Sequence, residues 1–254
     1  MVEETPQTPE TSAEKPKKRV LIVMAHPDDG EFGCGGTVAK WAAEGCDIWY
    51  CLVTDGQVGD AGDMEITSEA LAAKRAVEAQ NAADALGVQH PVIFLHYMDS
   101  RLEPTLDVRR DIARVIRKVK PDVVICQDPT TRWNGQGYIN HPDHRAAGEA
   151  TLAAIMPVAS TRLAFPELAA EGLATHNVKE IYMMGTQTPD RWVNIEGFVD
   201  KKIEALRQHV SQLRDWDPKD GITQWAKEDG DRARKHGHDF TYAEDFKYIR
   251  LEED

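Results

Sequence analysis

The sequence predicts an α/β fold: a Rossmann-like, mostly parallel sheet with helices on both faces. Three observations carry this reading. Short continuous apolar runs recur along the chain, each of the kind expected for a strand buried on both faces. Segments with helical spacing separate them, so strand and helix alternate. The chain of 254 residues, 41% of them apolar, is long enough to bury a sizeable core.

The elements follow in order. Residues 19–25 (RVLIVMA) form the first apolar run. A helix is expected over 36–44, with Val38, Trp41 and Ala42 on one face and Gly45 as its stop. Residues 46–54 (CDIWYCLVT) read as a second strand ending at Asp55-Gly56, and a polar loop runs to about Met64. A long helix over 67–86 is capped by Thr67 or Ser68 and closed by Gly87. Strands over 91–97, 122–127 and 179–185 alternate with helices over 108–119, 142–155 and 198–213. Residues 215–254 are polar and aromatic, with Trp216, Trp225, Phe240, Tyr242 and Phe246, and read as a C-terminal extension over the site. Residues 1–18 hold almost nothing apolar and read as a disordered tail. That leaves 19–254 as a single domain.

Thirty basic against 43 acidic side chains give a net charge of −13, which argues against nucleic acid or an anionic membrane as partner. No apolar stretch approaches the ~18 residues of a membrane span, and the N-terminal segment lacks the hydrophobic stretch of a secretory signal. Cys34, Cys46, Cys51 and Cys126 form no C-x-x-C pair and read as buried free thiols. A cytoplasmic enzyme is the default expectation.

In open parallel sheets, ligands bind outside the carboxyl ends of the strands. Two loops there echo one another. His26-Pro27-Asp28-Asp29-Gly30-Glu31 follows the first strand, and His141-Pro142-Asp143-His144 leads into the helix after the fourth. Each begins His-Pro-Asp and places a ligand-type residue three positions after the histidine. His26, Asp29 and His144 would supply the three ligands of a hydrolytic metal site, with Asp28 and His141 left free as acid/base groups. A turn with a helix cap explains one such loop equally well, and acidic residues at a helix start are favoured by the dipole; from the residues alone both readings stand. A dinucleotide site fits poorly, because Gly33, Gly35 and Gly36 do not match G-x-G-x-x-G and three carboxylates precede them.

AHPDDGE (25–31) with HPDH (141–144) resembles the PIG-L/LmbE superfamily of zinc-dependent de-N-acetylases, which includes deacetylases of the mycothiol and bacillithiol pathways. EFGCGGT is similar to the family's turn into its first helix, Arg75-x-x-Glu78 with Leu86-Gly87-Val88 to its R-x-x-E…LGV helix, and Tyr242-Ala243-Glu244 with Phe246 to its C-terminal signature. The resemblance implies zinc on His26, Asp29 and His144. It implies Asp28 as the base that activates the attacking water, His141 as the group that stabilises or protonates the tetrahedral intermediate, and Asp143 as the carboxylate paired with it. It implies that Arg75 holds substrate and that Tyr138 lies near the oxyanion, although the spacing of Tyr138 to the histidine differs by one residue from some relatives.

Other readings accompany these. Arg75 could instead form an ion pair with Glu78, Trp133 could stack on a sugar face or pack in its loop, and His238 could reach the pocket. The same two-His, one-carboxylate set could hold Fe²⁺ or another divalent metal. The expected activity is hydrolysis of the N-acetyl group of an N-acetylglucosamine-type sugar or conjugate, a small-molecule substrate. The alternatives are an amidase with a non-sugar N-acyl substrate and a silent carbohydrate-binding protein. The resemblance leaves a homo-oligomer open. The loops expected to read the aglycone are 57–64, 130–140 and 215–238.

Overall fold

The computed structural model describes residues 17–59 and 62–251. Its main sheet has seven strands in the order β3-β2-β1-β4-β7-β9-β8. The apolar runs form its parallel part: β1 (Arg19–Met24), β2 (Asp47–Thr54), β3 (Ile93–Tyr97), β4 (Val123–Gln127) and β7 (Glu180–Met184). Val20 pairs with Ile48 on one side and Val123 on the other, and Val20 through Met24 are fully buried. Burial on both faces is why the central strands β1 and β4 show no polar alternation.

Successive residues of β1 feed two cores. Leu21 and Val23 pack with Val108, Ile112 and Ala147, from α3 (Leu106–Val119) and α4 (Pro142–Ala153). Val20, Ile22 and Met24 pack with Val38, Ala82 and Ala205, from α1 (Asp29–Ala43), α2 (Ser68–Leu86) and α6 (Val199–Arg207). The Thr67 side chain accepts from Ala70 N at the start of α2, and Gly87 closes it at φ +85°. Gly148 lets α4 lie close on the sheet, because a Cβ there would collide with the backbone oxygen of Gln127.

Three differences from the sequence reading matter. First, α1 begins at Asp29 rather than at 36, so the first acidic loop is the start of a helix; the helix is kinked at Cys34 (φ −143°). Second, the helix expected over 198–213 is broken at His209 into α6 and the short α7 (Val210–Leu213). Third, the C-terminal segment does not lie over the site. It forms α8 (Lys219–Lys235) and then β9 (Ala243–Arg250), which enters the sheet antiparallel to β7 and pairs with β8 (Arg191–Asn194) on its other side. Phe246 is fully buried there. Buried Glu244 accepts from the backbone of Gly36 and Thr37 and pairs with Lys202 at 2.6 Å, tying β9 to α1 and α6.

Of the N-terminal segment read as a tail, residues 1–16 lie outside the described residues; Lys18 accepts from Asp47 N and pairs with Glu180. Cys34, Cys51 and Cys126 are buried free thiols as expected, and Cys46 is half-buried. Among the described residues no helix is long and apolar enough to cross a membrane. A small hairpin, β5 (Trp133–Asn134) and β6 (Tyr138–Ile139), stands between β4 and α4.

Candidate metal and acid–base site

Loops from the carboxyl ends of β1, β3 and β4 meet at one place. After β1, Pro27 is followed by Asp28 at φ +98°, a conformation that costs a non-glycine residue of order 1–3 kcal/mol and persists where the surroundings impose it. What imposes it is Arg75 of α2. Its Nη2 donates to Pro27 O and, at 3.1 Å, to Asp28 Oδ2, and its Nη1 donates to Gly56 O at 2.9 Å. The guanidinium is 3% exposed. Gly56, at φ +64°, leaves room for it, since a Cβ there would strike the guanidinium. The ion pair with Glu78 does not form; Glu78 accepts from Ser211 N and Oγ instead.

Asp29 has one oxygen committed and one free for a ligand role. Oδ2 accepts from His26 N (2.8 Å) and Gln127 Nε2 (2.9 Å), whereas Oδ1 faces His144 Nε2 at 3.0 Å. His144 is oriented by Asn140, whose Oδ1 lies 2.9 Å from its Nδ1. A partner of this kind on the far nitrogen is what a metal-binding imidazole needs. His26 Nδ1 is 3.3 Å from Asp29 Oδ2. Ligand atoms of His26, Asp29 and His144 all lie within 4.8 Å of one another.

A second grouping, His26, His141 and Asp143, meets the same spacing, but Asp143 is already engaged. Its Oδ2 accepts from Ser100 N (2.7 Å) and its Oδ1 from Leu102 N (3.3 Å), and it is 1% exposed. The first set therefore fits a divalent cation better. The electrostatics agree. Burial alone would discharge His26, but Asp29, Asp143 and Asp99 override it and push it up to about 12. Asp29 is held well below the usual carboxylate range by His144 and His26 despite its burial. A crowd of carboxylates around nitrogen donors is a place that demands positive charge.

The acid–base candidates flank this set. Burial pushes the Asp28 carboxyl up to about 6, against the pull of Arg75. His141 caps α4, its Nδ1 accepting from Asp143 N at 3.2 Å. Its ring centroid is 4.7 Å from that of His26 and 5.5 Å from that of His144. Burial and the neighbouring His26 lower the His141 pKa, outweighing Asp143, which favours the charged imidazole from 3.9 Å away through Oδ1.

His26, Asp28, Asp29, Arg75, Tyr138, His141 and His144 line one cavity of about 250 Å³, with Asp99, Ser100 and Gln212. Trp133 is exposed in the hairpin and is not among the residues lining this cavity or its neighbour. His238 stacks on Phe240 and lies against Trp192, away from the site. Among the described residues none beyond Gln212 lines this cavity or the smaller one beside it, so of the three loops expected to read an aglycone the first two contribute described residues and the third none.

Sequence reasoning missed Asp99, Gln127 and Asn140, each a single polar residue at a strand end or loop end. It also missed His209, fully buried, whose Nε2 is 3.2 Å from Glu31 Oε2. Burial opposes charge on His209, and Glu31 raises its pKa nonetheless.

A parallel sheet with a His–Asp–His group that could hold a metal ion at its carboxyl edge, beside Asp28 and His141, is the arrangement expected of the hydrolase class of site. The chain belongs to the PIG-L family: the family model described as GlcNAc-PI de-N-acetylase matches residues 21–155. The diacetylchitobiose deacetylase of Thermococcus kodakarensis is 34% identical, over 79% of this chain and 74% of its own. A 1D-myo-inositol 2-acetamido-2-deoxy-alpha-D-glucopyranoside deacetylase of Rhodococcus erythropolis is 35% identical, over 77% of this chain and 81% of its own. Among solved structures, the N,N'-diacetylchitobiose deacetylase of Pyrococcus horikoshii, complexed with an inhibitor, superposes with a TM-score of 0.80. It shares 29% identity and covers 92% of this chain and 85% of that one.

Proposed function

We propose that this chain is a metal-dependent N-deacetylase that releases acetate from an N-acetylglucosamine-type sugar or its conjugate. One observation carries the reading: His26, Asp29 and His144 converge from two loops while Asp28 and His141 stand beside them in the same cavity. The two deacetylases above, each sharing about a third of its aligned residues with this chain, support the reaction class.

His26, Asp29 and His144 would hold the metal. Zinc suits two nitrogens and one carboxylate with a position left open, and when bound it polarises the amide carbonyl and acidifies water. Arg75 Nη2 fixes Asp28 through Oδ2, which leaves Oδ1 to take the proton from the attacking water. Because His141 Nδ1 accepts the Asp143 N–H, the ring proton sits on Nε2. That N–H can stabilise the oxyanion; to protonate the departing amine the ring must first take a second proton at Nδ1, giving up the bond from Asp143 N, so that it returns to the neutral form on donating. Asp143, held by the backbone of Ser100 and Leu102, anchors this arrangement. Arg75 thus acts first as a positioning residue for Asp28. Residues 19–254 work as one unit in this reading, since β9 completes the sheet that carries the site.

The test is acetate release from N-acetylglucosamine, N,N'-diacetylchitobiose and the glucosaminyl-inositol and glucosaminyl-malate conjugates in one panel, with metal analysis of the purified protein. Release from at least one member is expected. Metal-bearing protein that releases none would refute the reading.

A further inference from the structure

A second cavity of about 150 Å³ opens beside the first, and His144 and Tyr138 line both. Its remaining walls come from the ends of β4 and β7 and the segments flanking the hairpin, among them Asp128, Thr131, Asn140 and Met184. A cavity of this order holds one six-membered ring.

Two of its polar groups are only partly satisfied. Asp128 is 4% exposed. Its Oδ1 accepts from Thr130 N (2.8 Å) and Oγ1 (2.6 Å), and its Oδ2 has no donor among the described residues. Thr131 is 5% exposed, and its hydroxyl has no hydrogen-bond partner among the described residues. The second Asp128 oxygen is an open acceptor for a ligand hydroxyl, and the buried Thr131 hydroxyl, costly to keep unpaired, would be satisfied by the same kind of group. Among the described residues no lysine or arginine lines the cavity, so a carboxylated ligand would face Asp128 without a cation there to neutralise it. Asp128 and Thr131 equally disfavour an acyl chain, while Met184 and Tyr138 offer surface for the C–H face of a ring.

Resting on the deacetylase reading, we propose that this cavity is the subsite for the second ring of the substrate, and that it selects a neutral, polyhydroxylated ring over an anionic aglycone. The acetamido sugar then occupies the larger cavity, with the linkage passing Tyr138.

The test compares one-ring and two-ring ligands. Titration calorimetry in the Asp28→Asn background, where turnover is slow, should show N,N'-diacetylchitobiose binding at least about tenfold tighter than N-acetylglucosamine. Asp128→Asn should reduce that preference about tenfold, the scale of one charge-assisted hydrogen bond. The same change should improve kcat/KM for the glucosaminyl-malate conjugate relative to the disaccharide. Thr131→Val removes the orphaned hydroxyl. It should leave Tm unchanged or raised while lowering the disaccharide preference, and it decides the matter if Asp128→Asn fails to fold. Equal affinity for one and two rings in the parent, or a preference that neither variant changes, overturns the proposal. Acetate release is scored separately: binding with this preference but no acetate release refutes the deacetylase reading and leaves the subsite standing.

Discussion

Arg75 offers the sharpest perturbation, because substrate binding and positioning predict different kinetics for it. Its guanidinium is 3% exposed and donates to Pro27 O, Gly56 O and Asp28 Oδ2. Arg75→Ala strands two backbone oxygens and a carboxylate whose side chain is only 16% exposed. Breaking a buried ion pair by removing one partner costs roughly 3–5 kcal/mol. The adjoining cavity can admit water to the stranded groups, so the lower end, about 3 kcal/mol, is expected. Urea denaturation of wild type and variant measures this. In kinetics the loss should fall on kcat, on the order of tenfold or more, because Asp28 is no longer held in its strained conformation. Arg75→Lys should recover little of it, since an ammonium cannot span three acceptors as a fork does. If Arg75→Ala changes stability by less than about 0.5 kcal/mol, the level of an ordinary surface substitution, and raises KM at constant kcat, then Arg75 contacts substrate and does not position Asp28.

His144→Ala should lose most bound metal, measured by elemental analysis, while the circular dichroism spectrum is retained. Asp28→Asn and His141→Ala should each lower kcat on the order of 10²-fold or more with metal content unchanged; loss of metal in either would require a different ligand set. Acid should weaken the fold through Asp111. Burial would raise its carboxyl, but Tyr97, Arg114 and Arg110 more than offset this and hold it below the usual range. A group depressed in the folded state contributes stability that is full above its unfolded pKa of about 3.9 and lost as pH falls through the folded value. Asp111→Asn should therefore lower stability at neutral pH and flatten its decline below about pH 4, followed by urea denaturation across pH.

The parallel sheet was legible because its central strands are buried on both faces and so read as unbroken apolar runs. β9 was not, because residues 243–250 (AEDFKYIR) mix charges with Phe246 and Tyr248 in a strand near the sheet's outer side. The start of α1 was obscured by Gly33, Gly35 and Gly36, which lower helix propensity; packing overrides it, and Gly33 and Gly36 sit where a Cβ would collide with Met184 and Ile195. Both His-Pro-Asp loops could be found because residues adjacent in sequence carry the donors. Gln127, Asn140 and Asp99 could not, since one polar side chain at a strand end has no spacing to betray it. The partner of Arg75 was equally hidden: helical spacing points to Glu78, whereas the tertiary fold brings Asp28.

Hydrolysis in the proposed reading depends on a metal held by His26, Asp29 and His144. The most direct measurement is acetate release from N,N'-diacetylchitobiose and the conjugates by protein stripped with a chelator and then titrated with Zn²⁺. Activity should vanish on stripping and return in proportion to metal, reaching its plateau at one ion per chain. Activity that survives complete removal of the metal would contradict the account.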